Sequence, residues 1–302
     1  MKVAITGSSG LIGTALKGAL EGAGHTAVPV VRSSPRPGEI GWDPAAGVID
    51  TAGFAGVDAV VHLAGAGIGD KRWTDERKRV ILESRTVPTA LLARTLASLD
   101  NGPRVLLSAS GVDYYGDRGD EVLTEESSPG TGFFPEVCIA WEAAAQPAVD
   151  AGIRTAFLRT APVQTPAGGA LGKTLPLFRF GLGGRMGSGD QWWSWISIDD
   201  QIAAMLHLLT ADDVSGGVNL CAPNPVTNRH YTKALGKELG RPTVLPIPAF
   251  GPKLVVGAEL AETLLFQSKR AVPAVLEASG YRFRQPTIEE CFAAVLGDEE
   301  LA

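Results

Sequence analysis

A glycine loop near the start of the chain has the spacing of a pyrophosphate-binding turn. Gly7, Gly10 and Gly13 stand between the apolar run Val3–Thr6 and a helical pattern that begins at Leu11. The first glycine permits the tight turn, the second lets the backbone approach a pyrophosphate, and the third lets helix and strand pack closely. Free amides at the start of the helix then face the anion. In this strand–turn–helix context the motif predicts a dinucleotide site at Gly7, Ser8, Ser9, Gly10, Leu11, Ile12 and Gly13.

The end of the second strand indicates which dinucleotide binds. Proteins that bind NAD usually carry an acidic residue about 20 residues beyond the glycine loop, where it binds the ribose 2′-hydroxyl. Here Arg32 and Ser33 follow the strand, and no carboxylate occurs between Gly22 and Gly38. Arg32 could be a solvated strand end, but a guanidinium suits a 2′-phosphate. We therefore predict NADP as the cofactor, bound in part by Arg32 and Ser33.

A second glycine-rich stretch, Ala167–Thr174, ends in Gly-Lys-Thr like a Walker A loop. Alanine replaces the first glycine of that motif, and two prolines separate the stretch from the preceding strand pattern. A phosphate cradle needs its amides set tightly between strand and helix. We therefore expect a glycine loop that leads into a helix, and phosphotransfer is a less favoured function.

Apolar strands alternate with helices over the first two thirds of the chain. Strands that are apolar on both faces are typical of a parallel sheet covered on both sides, and right-handed crossovers make such a sheet doubly wound. The predicted fold is α/β, a doubly wound parallel (Rossmann) sheet with a second, smaller mixed α/β domain. The predicted strands are Val3–Thr6, Thr26–Val31, Ala59–Leu63, Arg104–Ser108, Arg154–Leu158 and Trp195–Ile198. The predicted helices are Leu11–Leu20, Thr74–Leu99, Val137–Val149 and Asp199–Leu209.

The character of the sequence changes after Arg159. Residues 161–195 are rich in glycine and hold three tryptophans, and the last 80 residues mix short helices with proline-rich turns. We predict an NADP-binding domain over residues 1–165, completed by about 196–222, and a smaller substrate domain over 166–195 and 223–302. At least one tryptophan of this segment should line the cleft between them, because three are costly to expose.

Several motifs together resemble the extended short-chain dehydrogenase/reductases, the NAD(P)-dependent epimerases and dehydratases. The family motifs match Gly7–Gly13, Val61–Gly65, Tyr115-Gly116 and Trp195–Asp200. Further segments resemble one atypical branch of that family: Lys71–Thr74, Ser84-Arg85, Ser108–Gly116, Leu158–Thr160 and Gly181–Gly189. The segments Gln267–Pro273 and Gly280–Phe283 resemble the small C-terminal module of the same branch. The resemblance implies that Leu63, Ala64, Gly65, Arg85, Ser108 and Cys138 also belong to the cofactor site.

The proton relay of that family is absent. Its general base is a tyrosine four residues before a lysine, and Phe134 and Cys138 stand at the two positions. Ser110 and Tyr115 are the candidate catalytic residues instead, since a phenol beside a cationic nicotinamide can have its pKa lowered. For Tyr115 the structural alternative is a packed tyrosine whose hydroxyl binds within the protein.

Three other features allow a purely structural interpretation as well as a functional one. His62 ends an apolar strand, so we expect a core histidine rather than a ligand. The thiol of Cys138 could react, although a helical cysteine among apolar neighbours is more often inert. The cluster Lys71-Arg72-Trp73 could hold an anionic substrate or cap the next helix.

Composition excludes several function classes for these 302 residues. The formal net charge of −6 disfavours nucleic acid as a partner. Three scattered cysteines and four histidines without HExxH offer no readable metal site, and no apolar run approaches a membrane span. These features predict a cytoplasmic protein with a small-molecule substrate and no membrane partner, and they allow a homodimer.

Together these observations predict an NADP(H)-dependent oxidoreductase or epimerase of the extended short-chain dehydrogenase/reductase type. It would act on a small polar metabolite bound between the domains. Because the Tyr-x3-Lys relay is missing, a non-catalytic NADP-binding regulatory protein is the alternative.

Overall fold

A computed structural model describes residues 1–32 and 34–297. The strands are β1 (Lys2–Thr6), β2 (Thr26–Val31), β3 (Ile40–Asp43), β4 (Val48–Ile49), β5 (Ala59–His62), β6 (Val105–Gly111), β7 (Val122–Leu123), β8 (Arg154–Thr160), β9 (Val163–Gln164), β10 (Trp192–Trp193), β11 (Ile196–Ser197), β12 (Gly216–Leu220), β13 (Val226–Thr227) and β14 (Arg270–Ala271).

The α-helices are α1 (Leu11–Gly22), α2 (Asp75–Ala97), α3 (Phe133–Ala143), α4 (Gln146–Asp150), α5 (Gly169–Arg179), α6 (Ile198–Thr210), α7 (Asn228–Glu238), α8 (Phe250–Val256), α9 (Ala258–Ala261), α10 (Ala274–Ala278) and α11 (Ile288–Gly297). Short 3₁₀ turns lie at Ala52–Phe54 and Val112–Tyr115, and a π-helical turn at Glu262–Phe266. No described helix has the length and apolar character needed to cross a lipid bilayer.

The central sheet has the strand order β12-β8-β6-β5-β1-β2-β3-β4. Its neighbouring strands run parallel except β3 and β4, which pair antiparallel. The strand order reverses beside β1, since β2 lies on one side of it and β5 on the other. The sheet therefore has a crevice at the carboxyl ends of β1 and β5, where ligands bind in doubly wound folds. This arrangement confirms the predicted α/β Rossmann architecture.

Alternate residues of the strands pack on opposite faces of the sheet. Val3 and Ile5 lie in one core cluster with Leu16 of α1 and Met205 of α6. Ala4 between them lies in a second cluster, with Leu92 of α2. This period of two, with helices on both faces, is what buries the parallel strands on both sides.

A third core cluster joins α5, α7 and α11 around Trp195, Tyr231 and Phe292. The C-terminal segment also reaches the main sheet, because Leu276 and Tyr281 belong to the cluster beneath α1 and α6. The division of the chain into domains at residues 166–195 and 223–302 stays a prediction.

Several element bounds differ from those predicted. The helix predicted over Val137–Val149 begins earlier, at Phe133, and is interrupted before α4, whose first turn contains Pro147. Strand β6 continues to Gly111, three residues beyond Ser108. The strand predicted over Trp195–Ile198 is shorter, because Ser197 caps α6 by accepting from the Asp200 amide.

Candidate functional site

The three loop glycines play different structural roles. Gly7 has φ +68°, and a Cβ atom there would lie 3.0 Å from the carbonyl carbon of Leu63. A Cβ atom at Gly13 would lie 2.2 Å from the carbonyl oxygen of Gly7, so the fold itself requires this glycine. Gly10 has an ordinary φ of −77°, and a Cβ atom there would meet only that same oxygen, at 3.3 Å. The space above Gly10 is therefore open to a ligand.

The start of α1 offers unpaired amides to that space. Gly10 occupies the N-cap, no side chain caps the helix, and its first turn holds no acidic residue. Within the described residues, the amides of Leu11 and Ile12 have no acceptor. Ser8 is half-buried and Ser9 exposed on the same loop. These donors and the helix dipole fit a pyrophosphate.

The second glycine-rich stretch faces the first. A Cβ atom at Gly168 would lie 3.5 Å from a methyl carbon of Leu11. Helix α5 begins at Gly169, as expected of a glycine loop that leads into a helix. The Lys173 ammonium lies 3.5 Å from an Asp70 oxygen on the surface, away from a phosphate cradle.

Arg32 directly follows β2 and is exposed to solvent. Among the described residues its guanidinium has no hydrogen bond or ion pair. Arg36, on the same loop, is engaged instead, since its Nη2 lies 2.8 Å from Oε1 of Glu39. Ser33, predicted beside Arg32, lies outside the described residues. Of the two guanidiniums on this loop, Arg32 is thus the one without a partner among the residues that the structure describes.

The loop after β5 forms the opposite wall of the crevice. The amides of Leu63 and Ala64 donate to Oγ1 of Thr6, at 3.1 and 3.2 Å. This pairing holds Leu63 and Ala64 against the Gly7 turn, and the exposed Gly65 follows them. The structure therefore brings the predicted residues of both loops together at one edge of the sheet.

His62 is a buried structural residue that fixes this wall. Thr89 donates its hydroxyl hydrogen to the carbonyl oxygen of Arg85 at 2.6 Å, so its oxygen accepts from Nε2 of His62 at 2.8 Å. Nδ1 of His62 then accepts from the Thr6 hydroxyl at 2.7 Å. Burial lowers the pKa of the imidazole from 6.5 to about 4. His62 is neutral and fully bonded, as expected of a core histidine.

A pH dependence of stability follows from His62. Above pH about 6.5 the imidazole is neutral in both folded and unfolded chains, so its contribution is complete. As the pH falls toward 4, only the unfolded chain takes up the proton. We expect this residue to remove about 3 kcal/mol of unfolding free energy over that range.

Urea unfolding at several pH values measures the effect. A His62→Gln variant, which cannot titrate, should lose stability less steeply between pH about 6.5 and about 4 than the original chain. Equal slopes for the two proteins would contradict the neutral buried imidazole.

Arg85, Ser108 and Cys138 lie behind the crevice rather than on its surface, at 5%, 0% and 2% exposure. Arg85 supports the wall from below, since its Nη2 donates to the carbonyl oxygen of Ala66 at 3.1 Å. Burial, followed by nearby carboxylates, raises the pKa of the Cys138 thiol well above its ordinary value. Their direct contact with a cofactor stays a prediction, and the burial of Cys138 favours the inert-thiol interpretation.

Ser110 and Tyr115 belong to a buried polar network. Ser110 donates to Oε1 of Glu142 at 2.7 Å. The Tyr115 hydroxyl donates to Oδ1 of Asn219 at 2.7 Å and accepts from Arg159 at 3.1 Å. Burial raises the pKa of Tyr115 to about 12. The catalytic roles of both residues stay predictions, and the bonds of the Tyr115 hydroxyl within the protein favour the packed-tyrosine alternative.

The cluster Lys71-Arg72-Trp73 joins distant parts of the chain. Arg72 donates to the backbone carbonyls of Leu254 and Val255, which ties the loop to the C-terminal segment. Trp73 stacks on Phe134 with ring centroids 5.0 Å apart. The helix that follows is capped by Thr74, not by the cluster. Phe134, which stands at the position of the family tyrosine, is thus buried against the half-buried ring of Trp73.

A cleft of about 100 Å³ is lined by residues of β10, α5 and the segment before β14. All three tryptophans of the glycine- and tryptophan-rich segment line it, together with Leu264, Asp113 and Lys269. The Lys269 ammonium lies 2.9 Å from an Asp113 oxygen. Sequence reasoning missed this pair, since its members stand in separate motifs with no spacing that relates them.

Comparisons with known proteins match the whole chain to one group. A model of the NAD dependent epimerase/dehydratase family matches residues 3–221, and one described as a domain of unknown function, DUF1731, matches 247–295. The epimerase family protein Mb2239 of Mycobacterium bovis is 43% identical over 95% of both chains. A chloroplastic SDR39U1 homologue of Arabidopsis thaliana is 32% identical over 98% of this chain and 87% of that protein. The crystal structure of human epimerase family protein SDR39U1 with NADPH has a TM-score of 0.90 and 33% identity, covering 99% of this chain and 100% of that one.

Proposed function

Since this chain belongs to the NAD-dependent epimerase/dehydratase family, we propose that it is an NADP(H)-dependent oxidoreductase or epimerase. The open cradle at Gly10, with the unpaired amides of α1 around it, carries the proposal. The similar human protein, which was crystallised with NADPH, supports the choice of cofactor. When bound, a nicotinamide cofactor supplies or accepts a hydride.

Different residues of this chain would bind different parts of the cofactor. The loop 7–13 would hold the pyrophosphate through its amides, and the wall Leu63–Gly65 would bound the crevice opposite. Arg32 would bind the 2′-phosphate, because it is a free guanidinium at the end of β2. Ser108, Arg85 and Cys138 would support these surfaces from behind.

The substrate would bind in the cleft beside Lys269. Its lining is mainly aromatic and aliphatic, so a compact and largely apolar compound fits better than the polar metabolite predicted from the sequence. Oxidation of bound NADPH by a metabolite tests catalysis, and NADPH binding without any turnover would favour the regulatory alternative. The homodimer and the cytoplasmic location also stay predictions, and sedimentation equilibrium measures the assembly state.

Replacing Arg32 by aspartate should reverse the preference between cofactors. A guanidinium that binds the 2′-phosphate through two charge-assisted hydrogen bonds contributes about 1.5–3 kcal/mol of binding free energy for each bond. The original chain should therefore bind NADP about a hundredfold more tightly than NAD. The aspartate would repel the phosphate and accept from the hydroxyl of NAD. Dissociation constants of both dinucleotides, measured for both proteins by calorimetry at one salt concentration, check the prediction.

Arg36→Gln is the matched control for this charge. It removes a guanidinium from the same loop, but one that Glu39 already engages. We expect that variant to keep the preference for NADP. Equal binding of NAD and NADP by the original chain would show that Arg32 is only a solvated strand end, whereas loss of preference in Arg36→Gln would move the phosphate contact to Arg36.

A further inference from the structure

An ion pair between distant parts of the chain lies in the wall of the cleft. The side chains of Lys269 and Asp113 are 11% and 19% exposed, with 2.9 Å between nitrogen and oxygen. The ammonium also donates to the carbonyl oxygen of Thr263 at 2.9 Å. Among the described residues that line the cleft, Lys269 is the only cationic side chain. Any acceptor atom that enters the cleft therefore has this donor as its charged partner.

Backbone contacts fix the position of Lys269. Its amide donates to the carbonyl oxygen of Trp192 at 2.9 Å, and its own carbonyl accepts from the Ser194 hydroxyl at 2.9 Å. The same hydroxyl accepts from the Ala271 amide at 2.8 Å. These bonds join the segment before β14 to the tryptophan segment, so the lysine and the aromatic walls form one preorganised unit.

Asp113 places the ion pair close to Cys138, which stands where the family carries its relay lysine. The residue follows the carboxyl end of β6, and a Cβ atom at Gly111 would lie 3.6 Å from its carboxylate and 3.8 Å from the thiol of Cys138. Asp113 and Lys269 thus bring an acid–base pair to the neighbourhood in which Phe134 and Cys138 supply none.

The walls of the cleft restrict what can bind there. An apolar cavity of about 150 Å³ holds a benzene molecule, so a cleft of about 100 Å³ limits its ligand to at most one compact ring or a short branched group. A nucleoside diphosphate would require cationic or amide donors for its phosphates, and Lys269 is the single cation described in this lining. The cleft therefore selects a small, mainly apolar molecule with one polar acceptor.

We propose that Lys269, held by Asp113, donates a hydrogen bond and a proton to the carbonyl oxygen of a compact, largely apolar ketone or aldehyde bound between Trp192, Trp193 and Trp195. This assignment rests on the proposed NADPH-dependent function. During reduction an N–H bond of Lys269 breaks and an O–H bond forms, while the hydride from the reduced nicotinamide brings two electrons to the carbonyl carbon. The neutral amine then regains a proton from water by way of Asp113.

Binding of cyclohexanone and of methylenecyclohexane, a hydrocarbon of the same shape, tests recognition of the carbonyl group. In ligand-observed NMR titrations of the full chain, the ketone should bind at least about tenfold more tightly than the hydrocarbon, because it accepts from a charged donor. Lys269→Met should bring the two affinities together. Lys173→Met, which removes an exposed lysine outside the cleft, should preserve the difference.

Turnover with NADPH tests the proton transfer itself. Reduction of cyclohexanone should fall by about a hundredfold or more in Lys269→Met. Lys269→Gln, which keeps a neutral donor without a proton to give, serves if the methionine variant fails to fold. It should retain part of the preference for the ketone and lose turnover.

Several results would overturn the assignment. They are equal binding of ketone and hydrocarbon by the original chain, no binding of either, an unchanged preference in Lys269→Met, and no reduction of bound ketone in the presence of bound NADPH. Calorimetric titration of NADPH is measured separately on each protein. Failure to bind NADPH refutes the proposed function, whereas bound NADPH with no role for Lys269 refutes only this inference.

Discussion

A Gly10→Val variant should fold normally and fail to bind NADP. The φ of −77° at Gly10 is accessible to any residue, and a Cβ atom would meet only the carbonyl oxygen of Gly7, at 3.3 Å. The added methyl groups must therefore occupy the open space above the loop, where the pyrophosphate would approach the backbone. We expect the affinity for NADP to fall by about a hundredfold or more, a loss of about 3 kcal/mol. Calorimetric titration measures it, and circular dichroism checks the fold.

Substitutions at two glycines of helix α1 distinguish an effect on cofactor binding from an effect on folding. Gly18 is exposed, and a Cβ atom there would meet nothing within 4 Å. Gly18→Val adds the same side chain to α1 and should leave NADP affinity unchanged. Gly13→Ala should instead destabilise the protein, since its Cβ atom would lie 2.2 Å from the Gly7 carbonyl oxygen. If Gly10→Val binds NADP as the original chain does, the loop does not hold a dinucleotide.

The parts of the fold that the sequence predicts are those with local and periodic causes. Strand β2 has the predicted bounds, Thr26–Val31, because β-branched residues and a preceding glycine turn define it locally. The parallel arrangement followed from strands that are apolar on both faces. The glycine loop and α1 were predictable for the same reason, since turn, cap and helix occupy consecutive residues.

Strand β12, by contrast, has no local signal. It begins with Gly216 and Gly217, and glycine is depleted in strands. The neighbouring strand β8 requires one of these glycines, because a Cβ atom at Gly217 would lie only 2.7 Å from the guanidinium carbon of Arg159. Only the assembled sheet shows this requirement. A pattern read along the chain cannot show it.

The candidate site likewise has parts that the sequence indicates and parts that it does not. The two loops predicted to hold the cofactor lie together in the structure, and the sequence could indicate them because their glycines and apolar strands carry the signal within a few residues. Ser110 and Tyr115 have residue types suited to catalysis, but their partners Glu142 and Asn219 come from other elements and engage both hydroxyls. Lys269 could not be singled out from the sequence, since its partner Asp113 stands far from it along the chain and only the fold brings the two together.

Arg159→Met should cause the largest loss of stability among the substitutions considered. Nε and Nη2 of Arg159 donate to the two carboxylate oxygens of Glu142 at 2.9 Å each. Their side chains are only 7% and 12% exposed, and the guanidinium packs 3.5 Å from the ring centroid of Tyr114. Although burial lowers the pKa of Arg159, its bonds to Glu142 raise it further, so the net shift is upward. Methionine would leave the Glu142 carboxylate without its cationic partner, and breaking one side of a buried ion pair costs about 3–5 kcal/mol.

Urea unfolding of three proteins tests whether burial causes this loss. Arg229→Met removes a surface pair with Asp190, whose side chains are 56% and 69% exposed, so it should cost less than about 1 kcal/mol. The double variant Arg159→Met, Glu142→Leu removes both charges and should recover part of the stability, because no unpaired carboxylate remains. NADP affinity should stay unchanged in both Arg159 variants, since the hydrogen bonds of Arg159 and Glu142 within the described residues reach no residue of the glycine loop. A cost for Arg159→Met no greater than for Arg229→Met would mean that the Glu142 carboxylate becomes hydrated without its partner, and would contradict the stabilising role of this buried ion pair.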